Sequence, residues 1–196
     1  QVCISVQRMF VHEDVWDEFM AKFTAAAAAL KVGDPADPTT DVGPMVDGAA
    51  ARRTQDWVDE AKALGGTVLL GGTSDGNFFA PTILTGVPVH AKVCSNEAFA
   101  PLVVAFPFRE MADAIRQVND SFFGLQTGVF TNDLGAAWSS FHELEVGGVI
   151  VNDIPTYRID HMPYGGVKDS GLGREGLRWA IDDMTEIRIM VLAWPQ

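Results

Sequence analysis

Positive charge is scarce in this chain. Its 196 residues carry 14 Lys and Arg against 26 Asp and Glu, a formal net charge of -12. That balance argues against a nucleic-acid partner, because phosphate contacts need clustered Lys and Arg. The carboxylate excess is read as a contribution to solubility. Cysteine is scarce as well. Cys3 and Cys94 stand alone, and His12, His90, His142 and His161 are scattered. No metal-ligand spacing results, so no metal site is expected. Reduced thiols are the default for two cysteines with nothing to mark a secreted chain. No apolar run is long enough to span a bilayer, and no charged-then-apolar leader precedes the first strand. No membrane partner is expected, and the cytoplasm is the expected location. The chain opens on Gln1, not Met, and enters a strand-forming run at once, which suggests a piece of a longer protein.

What is present reads as strands alternating with helices. Residues 6–11 form an apolar run suited to a buried strand. Val15, Trp16, Phe19, Met20, Phe23, Ala27 and Leu30 recur at three- and four-residue spacing, with Gly33 placed to end that helix. A turn-rich loop follows over 33–44. Asp47 is placed to cap a second helix buried through Ala50, Trp57, Val58, Ala61 and Leu64, and Gly65-Gly66 stop it. Residues 67–70 read as a short strand. Residues 78–84 read as an extended piece interrupted by Pro81, so an edge or connecting strand is expected there. Residues 102–106 are continuously apolar, as in a strand covered on both faces. A helix over 111–118, a strand over 127–131, a helix capped by Asn132 or Asp133, and a strand over 148–151 follow. A last helix is expected over 174–184, with Leu177, Ala180 and Ile181 on one face. The end, 185–194, reads as an apolar strand that needs a partner, in this sheet or in another subunit. The fold class expected is α/β: an open, mostly parallel sheet with helices on both faces.

Three stretches could carry chemistry. Cys3 sits at the entrance to the first strand, where a thiol can be exposed, although most free cysteines are small buried hydrophobes. Glu97-Ala98-Phe99-Ala100-Pro101 precedes the central apolar strand; Glu97 is either a solvated loop charge or an acceptor for sugar hydroxyls, and Phe99 either packs or lines a site. The run Gly165-Gly166-Val167-Lys168-Asp169-Ser170-Gly171-Leu172-Gly173 fails as a phosphate loop, because Asp169 separates Lys168 from Ser170. It also fails as a dinucleotide fingerprint. Spacing alone makes it a glycine-permitted turn system before a helix.

Taken together these stretches resemble the aldehyde dehydrogenase superfamily. Gln1-x-Cys3 matches its Gly-Gln-x-Cys motif apart from the leading glycine, and Glu97-x-Phe99-x-Pro101 is similar to its Glu-x-Phe-Gly-Pro. Phe123-Gly124-Leu125 with Val129-Phe130-Thr131 resembles Tyr-Gly-Leu and Val-Phe-Thr. Gly148-Val149-Ile150-Val151-Asn152 and the run from Pro163 to Glu175 are similar to two late motifs. All five occur in the family's order, from Cys3 to the chain's end. Ala100 departs from the pattern, standing where glycine is usual.

The resemblance implies a role for each matching residue. Cys3 would be the nucleophile that forms a thiohemiacetal and then a thioester, with its backbone N–H helping to hold the oxyanion. NAD or NADP would take the hydride. Glu97 would accept from the nicotinamide-side ribose, Phe99 would pack at the nicotinamide end, and Leu125 would line that site less directly. Cys94 matches no catalytic position and is read as structural. The loop 155–162 falls where the family lines its aldehyde pocket. Tyr157 and Tyr164 would be walls, and Arg158 or His161 would meet a hydroxyl or anionic group on a short aldehyde. Alternatively, Arg158 pairs with Asp160 and only shapes the loop. The wording is similar to members acting on lactaldehyde, succinate semialdehyde or phosphonoacetaldehyde.

The family's general-base glutamate, oxyanion asparagine and cofactor-binding domain lie upstream of the cysteine and are not in this chain. Residues 1–184 therefore correspond to a catalytic domain truncated at its start, and 185–196 to a C-terminal oligomerisation strand joining a homodimer or tetramer. The parent protein is expected to be a dehydrogenase, and this chain alone to turn over no aldehyde. A rival reading is a non-catalytic assembly module of the same fold, since fold alone does not establish activity.

Overall fold

The computed structural model describes residues 1–194. Strand β1 (Arg8–His12) leads through a single 3-10 turn (Glu13–Val15) into α1 (Trp16–Ala28). The loop after α1 brings in α2 (Gly48–Ala63), where the Asp47 carboxylate accepts from the Ala50 N–H at 2.7 Å. That satisfies one of the four donors a helix start leaves unpaired. Strands β2 (Thr67–Leu70), β3 (Ser74–Asp75), β4 (Phe78–Phe79) and β5 (Thr82–Thr85) follow, then the short helix α3 (Lys92–Ser95) and the long strand β6 (Leu102–Phe108).

Strand alternation separates two apolar layers around the sheet. Along β6, Leu102, Val104 and Phe106 join Leu84 in a cluster with Ala50, Ala51, Val58 and Ala61 of α2 and Val93 and Cys94 of α3. Ala105 of β6 joins Val11 and Ile83 in a second cluster with Met20, Trp16, Phe23 and Ala27 of α1. Successive side chains point to opposite faces of a strand, so one apolar run serves both layers. The sheet order is β1-β6-β5-β2. β6 is parallel to both β1 and β5, while β2 closes the edge antiparallel to β5. The sheet is thus mixed, mostly parallel, and covered by helices on both faces.

The second half builds a separate unit. Helix α4 (Met111–Asn119) leads to β7 (Phe123–Gly124) and β8 (Gln126–Val129), then α5 (Leu134–Glu143), β9 (Gly148–Val151), β10 (Val167–Lys168) and α6 (Leu177–Met184). β8 and β9 pair in parallel, and Ile115, Val129 and Leu144 pack beneath them with Val149.

Three expectations need correction. The extended piece around Pro81 is not at an edge, because Thr82–Thr85 lies between β6 and β2. Pro81 stands immediately before the strand, where its missing N–H costs no ladder bond. The last helix begins at Leu177 and buries no residue, so of the expected face Leu177 and Ile181 are exposed and Ala180 is only half-buried. Residues 185–194 form no strand within the chain, and their apolar side chains are exposed. The remainder of the expected terminal strand, 195–196, lies outside the described residues.

Candidate active site

Cys3 occupies a tight turn closed by the Ser5 N–H donating to the Val2 carbonyl at 2.9 Å. Ile4, the next residue, is buried and anchors the turn, leaving Cys3 exposed. Cys94, on α3, is buried instead. Burial pushes its thiol up to about 11, against a smaller opposing pull from Arg8. One thiol is thus presented to solvent and the other is held protonated inside the core.

The Glu97 stretch is tied to the cysteine stretch by Gln7. Its amide nitrogen donates to the Val93 carbonyl at 2.9 Å and the Asn96 carbonyl at 2.7 Å, and its oxygen accepts from the Ala98 N–H at 3.0 Å. Ala98 and Ala100 are buried, which turns Glu97 and Phe99 outward between them. Phe99 has φ of 49°, an uncommon conformation for a bulky residue. Such strain persists only where the surroundings enforce it, and it concentrates at functional sites. Ala100 does not share the positive φ, so alanine fits where the family pattern has glycine.

Tyr164 is the centre of the second constellation. Its hydroxyl lies 2.8 Å from the Cys3 sulfur. The Arg158 guanidinium stands over its ring, 4.2 Å from the centroid. Arg158 also donates to the Glu175 carboxylate at 2.9 Å. The Asp160 pairing given as the alternative for Arg158 does not form; its partner is Glu175, a residue 17 positions away that sequence proximity does not suggest. Tyr164 and Glu175 exchange backbone hydrogen bonds in both directions, at 3.0 and 2.6 Å. Tyr164 is 5% exposed, and its phenol is pushed up to about 12, first by burial and then by the hydrogen bond to Cys3.

The glycines around Tyr164 are there for close approach. A Cβ on Gly147 would come within 1.7 Å of the Gly165 carbonyl oxygen, and one on Gly166 within 2.3 Å of Ser170. Arg174 donates to the carbonyls of Gly166 and Gly173, at 2.9 and 2.7 Å. The run is a turn system that aims Tyr164, in line with the spacing argument, and not a phosphate cradle.

The loop bearing Tyr157, Arg158 and His161 is fastened to β8 by Gln126, whose amide donates to the carbonyls of Pro155 at 2.5 Å and Tyr157 at 3.2 Å. Tyr157 and His161 are exposed on that loop. Leu125, half-buried, immediately precedes Gln126, and its carbonyl accepts from Gly147 and Gly148. Cys3, Tyr164 and Arg158 are thus in mutual contact through the phenol. Glu97 and Phe99 are joined to Cys3 along the backbone and through Gln7, while Tyr157, His161 and Leu125 share the Gln126 loop. No role was read from the sequence for Gln7, Gln126 or Glu175, although Glu175 closes the motif that begins at Pro163. A polar side chain that bonds distant backbone leaves no periodic or motif signal. Among the described residues no cluster of His, Cys, Asp and Glu is arranged for a metal, and no helix is long and apolar enough to cross a membrane.

A family model described as the aldehyde dehydrogenase family matches residues 1–190. The 3-sulfolactaldehyde dehydrogenase of Priestia aryabhattai is 51% identical over 192 residues, which is 98% of this chain and 40% of that protein. The crystal structure of aldehyde dehydrogenase 21 from Physcomitrella patens, in complex with the reaction product succinate, superposes with a TM-score of 0.93 at 45% identity. It covers 94% of this chain and 38% of that one. Glyceraldehyde-3-phosphate dehydrogenase GapN from Methanocaldococcus jannaschii, complexed with NADP, gives a TM-score of 0.92 at 41% identity over 95% of this chain and 41% of that one. The chain spans about 40% of the length of the curated relatives it matches.

Proposed function

The chain belongs to the aldehyde dehydrogenase family, and from that premise we propose that the protein carrying it oxidises a short anionic aldehyde to its acid, using NAD or NADP. The observation that carries this reading is a thiol and a guanidinium set against one phenol. Cys3 lies 2.8 Å from the Tyr164 hydroxyl and Arg158 4.2 Å from its ring centre. A carbonyl at Cys3 and a carboxylate, sulfonate or phosphonate at Arg158 would be joined by a short chain. A guanidinium offers such anions two parallel hydrogen bonds. Its present partner, Glu175, is 65% exposed, so exchanging that carboxylate for a substrate anion costs little. The 3-sulfolactaldehyde named for one relative and the succinate bound in one neighbour are both anionic, which supports the same class.

In the mechanism, the Cys3 thiolate attacks the aldehyde carbon and forms a thiohemiacetal, and the turn N–H at Cys3 helps hold the oxygen as charge develops. A bound NAD or NADP would supply the acceptor for the hydride that leaves that carbon. Cys3 then holds the acyl group as a thioester until water releases the acid. Exposed Glu97 and the outward ring of Phe99 fit a cofactor's ribose and nicotinamide edge, and Gln7 fixes both relative to Cys3. Leu125 lines the same region less directly. Tyr157 and His161, exposed on the Arg158 loop, complete the aldehyde side. Residues 1–184 act as the catalytic domain, with the general base and most of the cofactor site supplied by the rest of the protein. The protein works in the cytoplasm as a homodimer or tetramer joined through residues 185–196.

A substrate panel tests this. The whole protein is given NAD or NADP with 3-sulfolactaldehyde, succinate semialdehyde and neutral propanal. The anionic aldehydes are expected to give NAD(P)H. Arg158→Ala should raise KM for them by about tenfold or more, as expected for losing a charge-assisted hydrogen bond, while costing propanal far less. Equal losses on all three aldehydes would contradict the role of Arg158. The chain of residues 1–196 alone is expected to form no NAD(P)H; turnover by it would show that it holds a complete site. The assembly-module reading is favoured only by the uncovered apolar face of α6, and it predicts that Cys3 and Cys94 label slowly and alike.

A further inference from the structure

We propose that Tyr164 is a catalytic hydrogen-bond donor: its hydroxyl donates to the Cys3 sulfur, fixes it in the turn, and favours the thiolate over the thiol. This rests on the reading of Cys3 as nucleophile and deepens it. The geometry is built for a fixed donor. The sulfur and the hydroxyl are 2.8 Å apart. The phenol is buried while the thiol is exposed, so the ring stays put and the cysteine is held to it. Two backbone hydrogen bonds to Glu175 clamp Tyr164 from behind.

Proton placement follows from the chemistry. Thiols ordinarily ionise before phenols. Burial and the Cys3 contact push the phenol further, up to about 12, so it keeps its proton throughout the working range and can only donate to a thiolate. The charged groups facing the phenol are Arg158 and Glu175. They are paired with each other, but the cation alone lies over the ring face. A cation on the π face draws electron density from the ring and so strengthens the O–H as a donor. When the sulfur bonds to the aldehyde carbon it loses its negative charge and this hydrogen bond weakens, so the donor assists most in the free enzyme.

The consequence is a pH signature. A hydrogen bond that raises the thiolate fraction about tenfold lowers the reactivity of each thiolate by only about threefold, because nucleophilicity falls with a Brønsted slope near 0.4–0.5. Removing the hydroxyl should therefore slow Cys3 at neutral pH and speed it where the thiol is fully ionised. In the whole protein, iodoacetamide labelling of the Cys3 and Cys94 peptides is followed by mass spectrometry across pH, unmutated and with Tyr164→Phe. Cys3 in the variant is expected to label about threefold more slowly near neutral pH and about threefold faster at high pH, so that the two curves cross. Curves that run parallel or coincide would overturn the proposal. Cys94 should stay slow in both proteins and reports an intact fold. If Tyr164→Phe loosens the fold, 3-fluorotyrosine at position 164 reads the same bond with the ring kept in place. Its stronger donor should speed Cys3 labelling near neutral pH, and no change would overturn the proposal. If Cys3 labels no faster than Cys94 in the unmutated protein, the nucleophile reading itself falls. If Cys3 is fast but indifferent to Tyr164→Phe, only the donor role falls.

Discussion

Two cysteines in one small fold are given opposite environments, and each environment can be measured. Cys3 is raised on a turn beside a phenol, whereas Cys94 is buried against β6, with its thiol shifted by burial from 9.0 up to about 11. Between those values the unfolded chain has lost the Cys94 proton and the folded chain still holds it. Stability contributed by that protonated thiol is full below about pH 9, falls as pH rises towards 11, and does not fall further beyond. Urea midpoints measured across this range should decline less steeply for Cys94→Ala than for the unmutated protein. Equal slopes would mean that Cys94 ionises alike in both states. At this scale the sequence was legible only through the family resemblance, which is what singled out Cys3, Glu97, Phe99, Tyr164 and Arg158. It was silent on what holds them. Gln7 satisfies three backbone groups on a segment some ninety positions away, and Glu175, not the neighbouring Asp160, takes the Arg158 guanidinium. Both depend on chain crossings that no local pattern encodes.

Elements were easier to read where the apolar period and a stop signal agreed. The Asp47 cap and the alanine- and valine-lined face of α2 appear as expected, except that Leu64, expected on that face, ends the helix exposed, and β6 is covered on both faces as its continuous apolar run requires. Pro81 misled because a proline was counted inside a strand that in fact starts one residue later. The end of the chain is the clearest departure. Leu177 and Met184 of α6 are 74% and 78% exposed, and Ile187, Ile189, Met190, Val191, Leu192 and Trp194 are likewise uncovered. Apolar surface on this scale normally marks an interaction site, which supports the pairing of this segment with a second copy. Deleting residues 185–196 from the whole protein should lower the oligomer mass seen by sedimentation velocity by at least half. An unchanged mass would place the subunit contacts elsewhere.

At the scale of the whole molecule, a thiol, a phenol and a guanidinium meet in a chain that spans about 40% of the length of its curated relatives. A mixed sheet, covered on both faces, supports the turn of Cys3 and the loop of Glu97, while the β8–β9 unit and its loops bring Tyr164 and Arg158 to the same thiol. The α/β class was legible because strands and helices alternate throughout. That β8 and β9 form a sheet of their own was not, because hydrophobic period assigns strands without assigning their neighbours. In the proposed function, Cys3 carries the acyl group of an oxidised aldehyde. The whole protein, mixed with an anionic aldehyde and NAD or NADP and quenched in acid within a turnover, is digested and its cysteine peptides weighed. The mass of the acyl thioester is expected on the Cys3 peptide and not on the Cys94 peptide, with neither adduct nor NAD(P)H in Cys3→Ala. NAD(P)H formation that persists in Cys3→Ala, or an acyl group found on another residue, would contradict it.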